Sequence, residues 1–206
     1  MTKLPVVVTH GFMSTAKMML PLKWMLERGE LHVHLTELSP FCIQDVRMLA
    51  RQLRTTVERV RARTGQDKVD LVGISQGGVI GLYYIHKLGG HERVRHFVTV
   101  GSPVQGTWAS VAGIPFIGGV SKGIWQLIPG STLCRELTAP LPTGLRVTTL
   151  AIAGDPVCPP ARCVIEGADN RVVRCGAGPM KHQMVIMSPK VLRTIRALLK
   201  ESDESS

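Results

Sequence analysis

Leu71-Val72-Gly73-Ile74-Ser75-Gln76-Gly77-Gly78 decides the reading of this 206-residue chain. Residues 68–72 form a short apolar, β-branched run of the kind that makes a buried strand. After the GxSxG pattern, Val79, Ile80, Leu82, Tyr83 and Ile85 continue as a helix, with Gly78 and Gly81 small enough to lie against a sheet. A serine between such elements sits on a turn so tight that side chains two residues before and after it would collide. Gly73 and Gly77 meet that demand. The turn lifts the hydroxyl above the sheet, and the first peptide of the helix, the N–H of Gln76, points toward any oxyanion formed there.

Outward from this stretch, strand-like and helix-like segments alternate. A strand at 5–9 leads through His10-Gly11-Phe12-Met13-Ser14 into a helix that ends near Gly29, and a second strand covers 31–38. In the helix over 44–64, Arg47, Arg51, Arg54 and Arg61 share one stripe and Val46, Leu49, Leu53, Val57 and Val60 fill the opposite face. Strands follow at 94–100, 147–153 and 172–175, and Ser188-Pro189 opens a last helix carrying Val191, Leu192, Ile195, Leu198 and Leu199 on one side. The end after Lys200 is acidic and serine-rich and is expected to fray. Helix-length crossovers between strands predict an α/β fold, about six mostly parallel strands with helices on both faces, as one domain over 1–206.

Composition narrows the function classes. The net charge of +10 is spread over helices without interleaved aromatics, which reads as a solvated basic surface, so no nucleic-acid partner is expected. No run is long and apolar enough to span a membrane, and no signal-peptide pattern precedes Val6; a cytoplasmic protein is expected, with export of a longer precursor left open. Cys42, Cys134, Cys158, Cys163 and Cys175 lack paired CxxC spacing, so free thiols are the default, with a bridge among the last three as the alternative.

A serine hydroxyl needs a histidine to take its proton and a carboxylate to orient that histidine. Downstream of the turn, His182 alone stands in a suitable loop, between the last strand and the last helix, whereas His86, His91 and His96 precede any acid in the required order of serine, acid, histidine. Asp155 ends the strand over 147–153 and is preferred to Glu166 and Asp169, which read as turn residues.

These segments together resemble a small bacterial lipase or esterase of the α/β-hydrolase superfamily. His10-Gly11-Phe12 resembles its oxyanion loop, Val72 to Gly78 its serine elbow, and Gly101-Ser102-Pro103-Val104-Gln105-Gly106-Thr107 a GTPHxGT segment. Gly154-Asp155-Pro156-Val157-Cys158-Pro159 resembles its acid loop, and His182 with Ser188-Pro189 its histidine loop. Ile74 and Val104 stand where that family usually has histidines, which implies altered packing beside the serine.

The resemblance implies a minimal α/β-hydrolase fold and hydrolysis of lipid or other acyl esters through an acyl-serine. Phe12 and Gln76 would supply the oxyanion N–H groups. Acyltransferase, thioesterase and non-catalytic acyl-binding readings stay open. Some related lipases hold calcium, but no acidic cluster suits it here, so neither metal nor cofactor is expected. The apolar, Gly- and Pro-broken stretch 104–142 is expected to act as a lid or pocket lining at the serine's end of the sheet. Its Trp108, Ile114, Phe116, Ile117, Trp125 and Leu127 would line an acyl pocket and allow transient contact with lipid interfaces.

Overall fold

The computed structural model describes residues 4–175 and 181–204. Six strands, β1 (Val6–Thr9), β2 (Val33–Leu35), β3 (Val69–Ile74), β4 (Val94–Val100), β5 (Arg146–Ile152) and β6 (Asp169–Val173), form one sheet in the order β2-β1-β3-β4-β5-β6. Every neighbouring pair is parallel. The central strands, covered on both faces, carry near-continuous apolar runs as buried parallel strands do.

The two faces separate by period-two alternation. Val7, Leu71 and Val147 point into one core, closed by α2 (Val46–Thr64) and α3 (Gln76–Lys87). Val6, Val8, Val72, Val98 and Leu150 point into the other, closed by α1 (Leu20–Glu27) and α8 (Pro189–Glu204). A register shift between Val69 and Leu71 lets both Val94 and Phe97 reach the first core although they stand three positions apart, out of step with the alternation. At the start of α2 the Asp45 side chain accepts the N–H of Arg47, and Gly65 ends it in the left-handed conformation at φ 67°.

Three short helices, α4 (Trp108–Ile117), α5 (Lys122–Gln126) and α6 (Thr132–Glu136), lie between β4 and β5, and α7 (Lys181–Met184) precedes α8. Each of the first three is capped by its own hydroxyl: Thr107, Ser121 and Ser131 accept N–H groups from Ala109, Ile124 and Cys134. The segment 104–142 is therefore a chain of individually capped helical turns.

Several boundaries differ from those expected. β2 is three residues long, and β6 begins at Asp169, which reads in sequence as part of a turn. β6 is the sheet edge and its Asp169, Asn170, Arg171 and Val172 are all exposed, so it has no apolar alternation to read. The helix α8 continues through Glu204, beyond Lys200 where fraying was expected; Ser205 and Ser206 lie outside the described residues. Gly176 to Met180, read as the loop leading to His182, also lie outside them. No described helix is long and apolar enough to cross a membrane.

Candidate active site

Ser75 stands between β3 and α3 at φ 54°, ψ −127°, a conformation unfavourable to any residue with a side chain. It is held there by its own N–H, which donates to Val100 O at 2.9 Å, and by its carbonyl, which accepts the Gly78 N–H at 3.0 Å. The flanking glycines are required by space. A Cβ on Gly73 would lie 2.5 Å from Gly78 Cα, and one on Gly77 would lie 2.3 Å from Thr9 O. The strained turn, anchored to the end of β4 and pressed against the end of β1, thus fixes where the hydroxyl points.

Asp155 follows β5 and is buried. Its Oδ1 accepts the N–H groups of Val157 at 2.8 Å and Cys158 at 3.0 Å, and its Oδ2 lies 2.7 Å from His182 Nδ1. Burial alone would raise the carboxyl pKa. The hydrogen bonds from His182 and from the two loop N–H groups, with the charge of His182, outweigh it and hold the acid below its usual range. Asp155 is therefore an acceptor, which assigns the His182 proton to Nδ1 and leaves Nε2 with a lone pair. Ser75 Oγ lies 2.8 Å from that Nε2 and donates to it. An unbroken hydrogen-bonded path runs from carboxylate through imidazole to hydroxyl. Of the two competing acids, Glu166 is exposed in a turn and Asp169 is exposed at the start of β6.

The loop after β1 closes the other side of the serine. A Cβ on Gly11 would lie 2.8 Å from Ser75 Cβ and 3.1 Å from Gln76 N, so the peptide leading to Phe12 passes directly over the start of α3. The Gln76 N–H, first in its helix, has no intrahelical acceptor. Met13 N–H donates to Phe41 O at 2.7 Å and ties this loop to the segment before α2.

A cavity of about 430 Å³ opens between these loops and the segment 104–142, within the roughly 300–1,000 Å³ range of small-molecule sites. Ser75 and His182 form part of its wall, and Met18, Met19, Ile74, Ile117, Ile124, Leu127 and Ile186 make it apolar. The α4 stripe Ala109, Gly113 and Ile117, spaced by four, faces inward.

Of the six side chains expected to line an acyl pocket, Ile117 and Leu127 do so. Ile114 does not border the cavity, and Trp108, Phe116 and Trp125 are turned to solvent with 63%, 86% and 50% of their surface exposed. For Trp108 and Phe116 the reason is that α4 is apolar around its whole circumference, so its inward stripe can approach the serine only by carrying these large residues outward. Trp125, on α5, instead donates its Nε1–H to Gly118 O at 2.8 Å. The methionines Met18 and Met19 escaped the sequence reading. No motif marks them; only their unbranched, adaptable side chains, a few residues after the His10–Ser14 loop, suit the lining of such a cavity.

Residues 5–138 match the palmitoyl protein thioesterase family. The chain belongs to that family. This member also has the fold of solved lipases and esterases. It is 17% identical to the mature form of the Bacillus licheniformis lipase BlEst2, with a TM-score of 0.76 over 97% of this chain and 92% of that one. The propeptide form of the same lipase gives 16% identity and a TM-score of 0.78 over 96% of this chain, which spans only 50% of that longer protein. A metagenomic carboxyl esterase gives 12% identity and a TM-score of 0.75 over 98% of this chain and 76% of that one. The fold of this palmitoyl protein thioesterase family member is that of the α/β-hydrolases.

Proposed function

We propose that Ser75, His182 and Asp155 form a catalytic triad that hydrolyses medium-to-long acyl esters through a covalent acyl-serine. The observation that carries this reading is the continuous Ser75–His182–Asp155 path, 2.8 Å and 2.7 Å in its two hydrogen bonds, opening onto an apolar cavity. His182 Nε2 removes the hydroxyl proton as Ser75 Oγ attacks the acyl carbon. The N–H groups of Phe12 and Gln76 receive the oxyanion, and His182 then protonates the leaving group. Water repeats the sequence on the acyl-enzyme, while Asp155 stays ionised.

The cavity has apolar walls that accept an acyl chain, each buried methylene contributing up to roughly 0.8 kcal/mol. The segment 104–142 is the lid of this single catalytic domain. Its outward Trp108 and Phe116, on a chain of net charge +10, suit transient contact with a lipid surface. The family match gives a second reading weight: the leaving group is a thiol. The same triad serves both, so paired oxygen esters and thioesters of two to sixteen acyl carbons discriminate. We expect kcat/KM to rise with chain length in at least one series, with Ser75→Ala inactive in both. Fastest turnover on acetyl esters, falling with length, would overturn the acyl-pocket reading.

A further inference from the structure

Cys158 and Cys163 are both fully buried free thiols whose Sγ atoms lie 3.2 Å apart in a small core of their own beside Ala151. They flank Pro159-Pro160-Ala161-Arg162, a turn held by Arg162 N–H to Pro159 O at 2.8 Å and Cys163 N–H to Pro160 O at 3.0 Å. Two consecutive prolines restrict this turn further. The two side chains are thus aimed at each other by a stiff backbone, and a disulfide, roughly 2.05 Å long, needs the sulfurs to close by little more than 1 Å.

What this turn supports is unusual for a surface loop. The Cys158 N–H donates to Asp155 Oδ1 at 3.0 Å, on the carboxylate that faces His182. On its other side, Gln105 N–H donates to Arg162 O at 3.1 Å, Gln105 Nε2 donates to Val164 O at 2.9 Å, and Thr107 Oγ1 donates to Val157 O. One short turn therefore joins the acid loop to the root of α4. Neither thiol takes part in the proposed mechanism.

We propose that Cys158 and Cys163 are a redox modification site, forming a disulfide that staples the Asp155 loop to itself. Each thiol gives up one hydrogen, and the two protons and two electrons pass to a small-molecule disulfide, which leaves as two thiols as one Sγ–Sγ bond forms. Because both sulfurs are buried in the folded protein, exchange occurs during folding or loop opening. This inference stands whatever ester the enzyme cleaves.

Trypsin provides a direct readout, since it cuts at Arg162, between the two cysteines. The full chain is refolded in a mixture of reduced and oxidised glutathione, alkylated and digested without reduction. Residues 147–162 and 163–171 are then expected as one linked peptide, two hydrogens lighter than their sum, with Cys42, Cys134 and Cys175 alkylated. Recovery of both peptides separately, alkylated at Cys158 and Cys163, would overturn the site. A bridged six-residue loop is expected to raise Tm by about 4–8 °C over the dithiothreitol-treated protein. Cys163→Ser and Cys163→Ala should show no reductant dependence. A linked wild-type protein whose Tm ignores reductant would show that the bond is no staple.

Discussion

At Asp155 one carboxylate oxygen is committed to two loop N–H groups and the other to His182, so the side chain has a single function-competent orientation. Asp155→Asn keeps the shape but offers an amide donor toward Nδ1, favouring the wrong imidazole tautomer. Turnover is expected to fall by roughly 10³–10⁴ with little change in Tm. Steady-state kinetics beside a thermal melt checks this; Asp155→Asn with more than a tenth of wild-type turnover would remove Asp155 from the triad. The three side chains of the proposed triad could be picked out in sequence because each stands near an element boundary that the fold requires: a strained turn at Ser75, a strand end at Asp155 and the connection from β6 to α8 at His182, which lies in the short helix α7 where a loop was expected. The methionines of the cavity were not, since Met18 and Met19 obey no motif and their role depends on how the loop folds back.

Among the elements, α4 carries the largest departure from expectation. An amphipathic helix announces its buried face through period 3.6, as α2 does, but α4 is apolar on every side and its sequence alone does not say which face meets the serine. The structure assigns the inward face to Ala109, Gly113 and Ile117 and the outward one to Trp108, Val111 and Phe116. Ile117→Trp should therefore fill part of the cavity and lower kcat/KM for long acyl esters at least tenfold while sparing short ones. Phe116→Ala should leave turnover of a dissolved short ester unchanged and reduce co-sedimentation with lipid vesicles. If Phe116→Ala instead altered acyl-length preference in solution, α4 would face the other way. The strands tell a different story: β1, β3, β4 and β5 were readable as buried runs, whereas the edge strand β6, exposed along most of its length, starts three residues earlier than expected and ends two earlier.

For the whole molecule, acid stability offers a test independent of catalysis. His96, at the bulge of β4, is fully buried and bonded to Thr148 Oγ1 at 2.9 Å. Burial, aided by the charges of Arg146 and Arg95, pushes its pKa down to about 4. Between there and the unfolded value of about 6.5, the unfolded chain binds a proton that the folded one refuses, so stability falls as pH falls. The loss reaches up to about 3 kcal/mol across that window, and above about pH 6.5 this group contributes no slope. Denaturant unfolding from pH 8 to pH 4 should show the decline, and His96→Gln should flatten it; identical slopes in both proteins would mean that His96 is protonated in the fold.

Labelling with a fluorophosphonate, followed by peptide mapping, tests the assignment of the nucleophile most directly. A phosphonyl adduct on Ser75 is expected, absent from Ser75→Ala and formed far more slowly in His182→Ala, whose hydroxyl has lost its base. A wild-type protein that hydrolyses esters while Ser75 stays unlabelled, or a Ser75→Ala variant that retains its turnover, would contradict the proposed acyl-serine mechanism.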